Sequence, residues 1–343
     1  MVSSPFFLQK KWYCVLGVVS GLVVLWIFYF LPAPPPPVVG VWLPWWSQKS
    51  AIGTLLQNRS IIRQVYFFAF SLGQKGEIQA KRLPISPRKL KRLSFEVFAT
   101  VANHGRSQPV HRILSNPTLR KKHIQQLVNM VQNRGFDGLE VDYESLKAED
   151  RQAFSVFIQN LAHQLRQNGK KLAVAVHAKI SSPGTWNGPQ AQDWRVIGKA
   201  VDYFKIMGYD YGWLGGKPNP IAPLPWLERV LRFAVSQVKS NKIILGIPLY
   251  GYRWYHSKER RNKAHTFVQL QRFLSAAYYH PRYQELTLQT SEFTLWFHDW
   301  RSVAARAKLA QSFGILGVCL WRMGGEDPRI WEKSRNVFLK GER

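Results

Sequence analysis

From residue 38 onward the chain alternates short runs of β-branched and aromatic residues with longer stretches of helical periodicity. This is the pattern of βα units laid around a parallel sheet. Eight runs read as strands: VVGVWLPWW (38–46), IIRQVYFFAF (61–70), SFEVFATVAN (94–103), GLEVDYE (138–144), KLAVAVHA (171–178), VDYFKIMGYD (201–210), KIILGIPLYG (242–251) and GILGVCLWRM (314–323). Between the third and fourth, NPTLRKKHIQQLVNMVQNRG opens on Asn-Pro and closes on Gly, which are start and stop signals for a helix. No Gly-rich phosphate loop follows the first strand, which argues against an open, doubly wound sheet. The fold class expected is α/β, a closed (β/α)8 TIM barrel over residues 38–335. Such barrels carry their chemistry at the carboxyl ends of the strands.

The amino terminus follows a different pattern. Residues 12–31, WYCVLGVVSGLVVLWIFYFL, carry no charge, and about twenty apolar residues suffice to cross a hydrocarbon core of roughly 30 Å. They read as a transmembrane anchor. Lys10 and Lys11 precede it, and no Lys or Arg follows until Lys49. The positive-inside bias therefore leaves residues 1–11 in the cytoplasm and places the barrel outside, as a single-pass membrane protein. The rival is a cleaved signal peptide and a secreted barrel, but the run ends in LPAPPPP, a poor processing site. Residues 32–37 form a stiff proline-rich spacer, and residues 336–343 a carboxyl-terminal tail.

Forty-eight Lys and Arg against twenty Asp and Glu give a formal net charge of +28. That excess implies a polyanionic neighbour: nucleic acid, an anionic lipid surface or an acidic wall polymer. Basic clusters lie at 81–92, 120–122 and 257–263, each of which alone reads as a solvated face. With no helix-turn-helix, finger or aromatic-studded RNA motif beside them, no nucleic acid is expected. The two cysteines, Cys14 and Cys319, supply neither a disulfide framework nor a zinc spacing.

Against this basic background, residues 136–144 read FDGLEVDYE. Strand side chains alternate, so Glu140, Asp142 and Glu144 share one face while Leu139, Val141 and Tyr143 share the other. The apolar set suits the helix layer, so the acids point into the barrel. Carboxylates stacked about 7 Å apart repel each other, and burial raises their pKa further, so at least one holds a proton near neutral pH. A protonated carboxyl at the open end of a strand is a general acid. A solvated acidic edge strand is the bland alternative.

The stretch resembles the DGxDxDxE signature of glycoside hydrolase family 18, the chitinase-like barrels, and falls on the fourth strand, where that family carries it. MGYD (207–210), LGIPLYGYRW (245–254) and GVCLWRMGGEDPRIW (317–331) resemble the family's motifs on strands six, seven and eight. The wording of the last two, with NPIAPLPWLERVL before them, is most similar to the bacterial branch that includes spore-germination and peptidoglycan-processing hydrolases. The resemblance implies a substrate-assisted mechanism. Glu144 protonates the glycosidic oxygen, Asp142 orients the 2-acetamido group that attacks the anomeric carbon, and Tyr209 binds its carbonyl. Asp210 and Met207 line the same subsite, and Trp321 forms the floor beneath the pyranose ring. The substrate implied is an N-acetylglucosamine-containing polysaccharide, with no metal or cofactor.

Other readings stand beside these roles. Tyr209 could be an ordinary strand tyrosine, and Trp321 one of fourteen tryptophans, most of which pack rather than bind. His177, at the end of the fifth run, faces substrate or, the reading preferred, is a satisfied structural histidine, and Asp137 reads as a brace for the turn into the fourth strand. Where the family has Asp, this chain has Glu140, which puts the relay behind Asp142 in question. If Met207 and Tyr209 point inward, so does Lys205. A buried Lys205–Glu140 ion pair and a Lys205 that snorkels to a barrel mouth are both open. The function expected is cleavage of peptidoglycan or a related envelope glycan; chitin and a non-catalytic, lectin-like barrel are the alternatives. Because the stretch between Trp254 and Trp296 is too short for a large extra domain, an open groove is expected.

Overall fold

The computed structural model describes residues 37–339. Eight strands run parallel and close on themselves: β1 (Val38–Pro44), β2 (Gln64–Leu72), β4 (Glu96–Ala102), β5 (Gly138–Asp142), β6 (Lys171–His177), β7 (Tyr203–Met207), β8 (Ile243–Pro248) and β14 (Gly317–Trp321). Pairing of β1 with both β2 and β14 completes the cylinder. Each of the eight predicted runs contains one of these strands or overlaps it. β3 (Ile78–Ala80) adds an antiparallel hairpin to β2. The predicted helix spans Pro117–Arg134, capped by the Asn116 side chain and ended by left-handed Gly135 (φ 75°), a conformation that glycine adopts at no steric cost.

The parallel strands have both faces covered, so their outward residues are continuously apolar. Leu139, Val141 and Tyr143 of the β5 segment join the layer beneath the helices. The inner face holds a second aromatic cluster, Trp42, Tyr66, Phe68 and Phe98 with Cys319. Asp137 sits at the amino-terminal end of the barrel, where its carboxylate accepts from Val97 N at 2.9 Å and pairs with Lys91 at 2.7 Å. It braces the turn, far from the mouth.

Two findings depart from the sequence reading. First, the run at 242–251 is two strands. β8 stops at Pro248, Leu249 N turns to Trp321 O, and Tyr250 opens a second sheet. That sheet is antiparallel and five-stranded, with β9 (Tyr250–Tyr255), β10 (Lys263–Thr266), β11 (Tyr278–His280), β12 (Glu285–Gln289) and β13 (Phe293–Phe297) in the order β10-β9-β13-β12-β11. Short as the segment is, it builds a small core of its own around Phe267, Leu270, Leu286, Leu295 and Phe297. Second, residues assigned to the tail form a helix, Arg335–Leu339, because Phe338 is buried. The anchor expected at 12–31 lies outside the described residues. Among those described, no helix is long and apolar enough to cross a membrane.

One buried carboxylate joins the second sheet to the barrel. Glu285 of β12 is fully buried and accepts from Ile221 N and Ala222 N at 2.8 Å each. It also pairs with Arg306 of helix Trp300–Ser312 at 2.9 Å. Removing one partner of a buried pair strands the other charge, at a cost of about 3–5 kcal/mol. Glu285→Ala is therefore expected to lower stability by about that amount, read as a shifted urea midpoint; an unshifted midpoint would show the junction to be dispensable.

Candidate active site

The acid ladder on β5 is built from the bottom up. Glu140 is fully buried, and its Oε1 meets Nζ of the equally buried Lys205 of β7 at 2.6 Å. Its Oε2 accepts from Trp42 Nε1 at 2.7 Å and Thr100 Oγ1 at 2.6 Å. The ammonium lies 3.7 Å from the ring centroid of Trp42 and 3.1 Å from that of Tyr66. Opposite charge, two hydrogen bonds and two aromatic faces compensate the loss of water that burial imposes. Of the two placements left open for Lys205, the ion pair is the one realised. The longer side chain of Glu140 is accommodated by partners from β1, β4 and β7.

One step up the strand, burial raises the Asp142 carboxyl well above the usual carboxylate range, with help from the negative charges of Glu144 and Glu140 and opposition from Lys205. Glu144 stands just past the strand end with its side chain open to the cleft. The protein atoms crowding the mouth, and then the charge of Asp210, push its pKa up to about 7. Its main chain is held from both sides: Glu144 N donates to Asn103 Oδ1 at 3.1 Å, and Glu144 O accepts from His177 Nε2 at 3.0 Å. Burial pulls His177 down to about 4, so the ring is neutral and carries its hydrogen on Nε2. His177 thus holds the main chain of the acid while also lining the cleft beside Trp186.

Asp210 follows β7 in the left-handed region, φ 61°, which Asp tolerates better than bulkier side chains. Its Oδ1 accepts from the Tyr252 hydroxyl at 2.7 Å and also from the Tyr250 hydroxyl. Burial raises Asp210 while these two hydrogen bonds oppose the rise. Burial also raises Tyr209 well above the ordinary tyrosine value, so its hydroxyl stays protonated and can donate. Gly246 of β8 makes room for that ring, since a Cβ there would stand 3.1 Å from Tyr209 Cε1 and 2.8 Å from Ile206 O. Trp321, at the end of β14, packs edge-on against Trp42 and Phe68, with centroids 5.7 and 4.9 Å away.

These side chains enclose a central chamber of 160 Å³ lined by Asp142, Glu144, Met207, Tyr209, Asp210 and Trp321, with Trp42 and Ala175. It opens on one side to a 690 Å³ compartment walled by Trp186, Tyr211, Trp213 and Trp226. A 330 Å³ compartment formed with β9 and β10 shares Asp210 and Trp321 with the chamber. The residues predicted for the site thus meet in one place, apart from Asp137, while Glu140 and Lys205 lie beneath it. Sequence reasoning missed Trp42, Thr100, Asn103, Tyr250 and Tyr252. The tyrosines had a signal in the YGY (250–252) at the end of the seventh run; the others act across strands distant in sequence.

The arrangement defines the class of protein. The chain belongs to the glycosyl hydrolases family 18, whose family model matches residues 48–326. It is 31% identical to the putative sporulation-specific glycosylase YdhD of Bacillus subtilis, over 65% of this chain and 55% of that protein. It is likewise 31% identical to the cortical fragment-lytic enzyme of Bacillus anthracis, over 64% of this chain and 54% of that one. The chain thus spans about half the length of these curated relatives. Among solved structures, a chitinase from Chromobacterium violaceum superposes with a TM-score of 0.79 at 24% identity, covering 89% of this chain and 99% of that one; that likeness concerns the fold.

The charge of Asp210 is one of the two causes that raise Glu144. Asp210→Asn removes a negative neighbour, so Glu144 is expected to release its proton at a lower pH than the wild type's value of about 7. Carbon-13 NMR titration of labelled glutamate carboxyls reads this directly. An unmoved midpoint would leave burial as the sole cause.

Proposed function

We propose that the chain is a retaining glycosidase that cleaves N-acetylglucosaminyl bonds with the help of the substrate's own acetamido group. The observation that carries this reading is the Glu144 carboxyl, which lines the chamber together with Asp142, Tyr209 and Trp321 and is pushed up to about 7 by burial and the charge of Asp210. Glu144 donates its proton to the glycosidic oxygen as the bond to the anomeric carbon breaks. The acetamido carbonyl oxygen attacks that carbon and an oxazolinium ion forms. Asp142 accepts a hydrogen bond from the acetamido N–H and balances the developing positive charge, and Tyr209 donates to the acetamido oxygen. Glu144, now ionised, takes a proton from the water that opens the ring.

Peptidoglycan or a related envelope glycan is the substrate we favour. The names of the two relatives point to sporulation and cortex lysis, and the net charge of +28 suits a glycan bearing carboxylates or accompanied by wall phosphates. Chitin, which is neutral, is the second reading. The uncharged run 12–31 supports a membrane-tethered enzyme with its barrel outside the cytoplasm, beside wall polymer and anionic lipid. A glycan-binding barrel without catalysis is the reading to eliminate.

Purified peptidoglycan and chitin oligomers digested side by side, with products weighed by mass spectrometry, test the proposal. Wild type is expected to release reducing ends from peptidoglycan, and Glu144→Gln to lose about 10²–10⁴-fold, the usual contribution of a general acid. Equal release by both proteins would remove Glu144 from the reaction. Because the acid must be protonated, kcat/KM is expected to hold below the Glu144 pKa of about 7 and to fall about tenfold per pH unit above it. A rate that rises through this range would reverse the assignment.

A further inference from the structure

The two compartments beside the central chamber differ in chemistry. The larger one is walled by exposed or half-exposed aromatic rings, Trp186, Trp213 and Tyr211 among them, surfaces on which the faces of neutral sugars stack. The 330 Å³ compartment is polar, lined by Tyr250, Tyr252, His265, Thr266, Gln269 and Arg322.

Arg322 is half-buried there, directly after Trp321. Its guanidinium lies 5.6 Å from the Trp46 ring centroid and within the field of Glu326. Among the described residues, none accepts a hydrogen bond from it. Glu326 itself accepts from Gly324 N at 2.7 Å. The carboxylate that lines the compartment, Asp210, is engaged by the hydroxyls of Tyr250 and Tyr252. His265 is held below its ordinary pKa by burial and then by the charges of Arg253, Lys263 and Arg272, so this end of the cleft lies in a positive field. A guanidinium has a planar fork of donors that matches a carboxylate bidentately. Left half-buried without an acceptor it costs stability, which a bound anion restores.

We propose that the compartment between Trp321 and β10 is a subsite for a sugar carrying a carboxylate, and that Arg322 recognises that group. The inference rests on the glycosidase reading above and sharpens it. The sugar beside the cleaved residue bears an acidic substituent, as in the lactyl-peptide arm of peptidoglycan. An unsubstituted chitin chain leaves the fork unpaired.

The test compares three ligands: glycan strands bearing stem-peptide carboxylates, the same strands with those carboxyls methyl-esterified, and chitooligosaccharides. Binding is measured by calorimetry on the full chain carrying Glu144→Gln, so the preference is read whether or not the wild type turns the ligand over. Hydrolysis by the wild-type background is followed separately. Arg322→Gln is expected to weaken binding of the acidic strands about tenfold or more, as for loss of a charge-assisted pair, and to leave the esterified strands and chitooligosaccharides within about twofold. Arg322→Lys, which keeps charge but not the fork, is expected to fall between. Equal weakening on all three ligands would place Arg322 against the sugar itself and overturn the proposal. So would no weakening on any, with thermal melting unchanged. Preference without turnover by the wild type would refute the hydrolase reading and leave the subsite standing.

Discussion

Carboxylates that follow one another along the inner face of a barrel strand cannot all stay charged, and the site depends on how this chain relieves that repulsion. It does so by dividing the ladder. At the bottom, Glu140 is matched to Lys205 at 2.6 Å and spends its second oxygen on Trp42 and Thr100. At the top, burial raises both remaining carboxyls, Asp142 with help from Glu144 and Glu140 that Lys205 only partly opposes, and Glu144 with help from Asp210. The proton that the strand retains is thereby left to the two groups nearest the cleft.

The same lower cluster also shapes the floor of the chamber. Trp42 donates to Glu140, carries the Lys205 ammonium on its face and meets Trp321 edge to face. A change at Glu140 would therefore reach the apolar floor as well as the charge balance. Hydrogen bonds to the Glu144 main chain from Asn103, just after β4, and from His177 of β6 complete the frame, so that the acid, just past β5, is held from both neighbouring strands. That is the condition under which a carboxyl keeps its aim.

How much of this the sequence revealed follows from the range of each interaction. The eight barrel strands were legible because each is a compact β-branched or aromatic run bounded by helical stretches. The inward placement of Glu140, Asp142 and Lys205 followed from strict alternation, which a barrel enforces. The second sheet was not legible: β11 has only three residues and β10 four, too short for period-two alternation to register. Its first strand was hidden because 242–251 reads as one unbroken run. Trp42, Asn103 and Tyr252 could not be assigned to partners because their bonds join residues 41 to 98 positions apart, and nothing local marks such pairings. Arg322, next to the predicted Trp321, was visible as a residue, but that none of the described residues accepts a hydrogen bond from it emerged only in three dimensions.

Infrared difference spectroscopy of the carboxyl band, near and above neutral pH, tests the divided ladder most directly. The wild type is expected to show a protonated carboxyl signal with a component that fades as pH passes about 7, to lose that component in Glu144→Gln while the contribution of the raised Asp142 stays, and to keep both in a Glu140→Gln, Lys205→Met double variant. A component near 7 that survives Glu144→Gln and vanishes in the double variant would put the proton at the bottom of the strand and contradict the account.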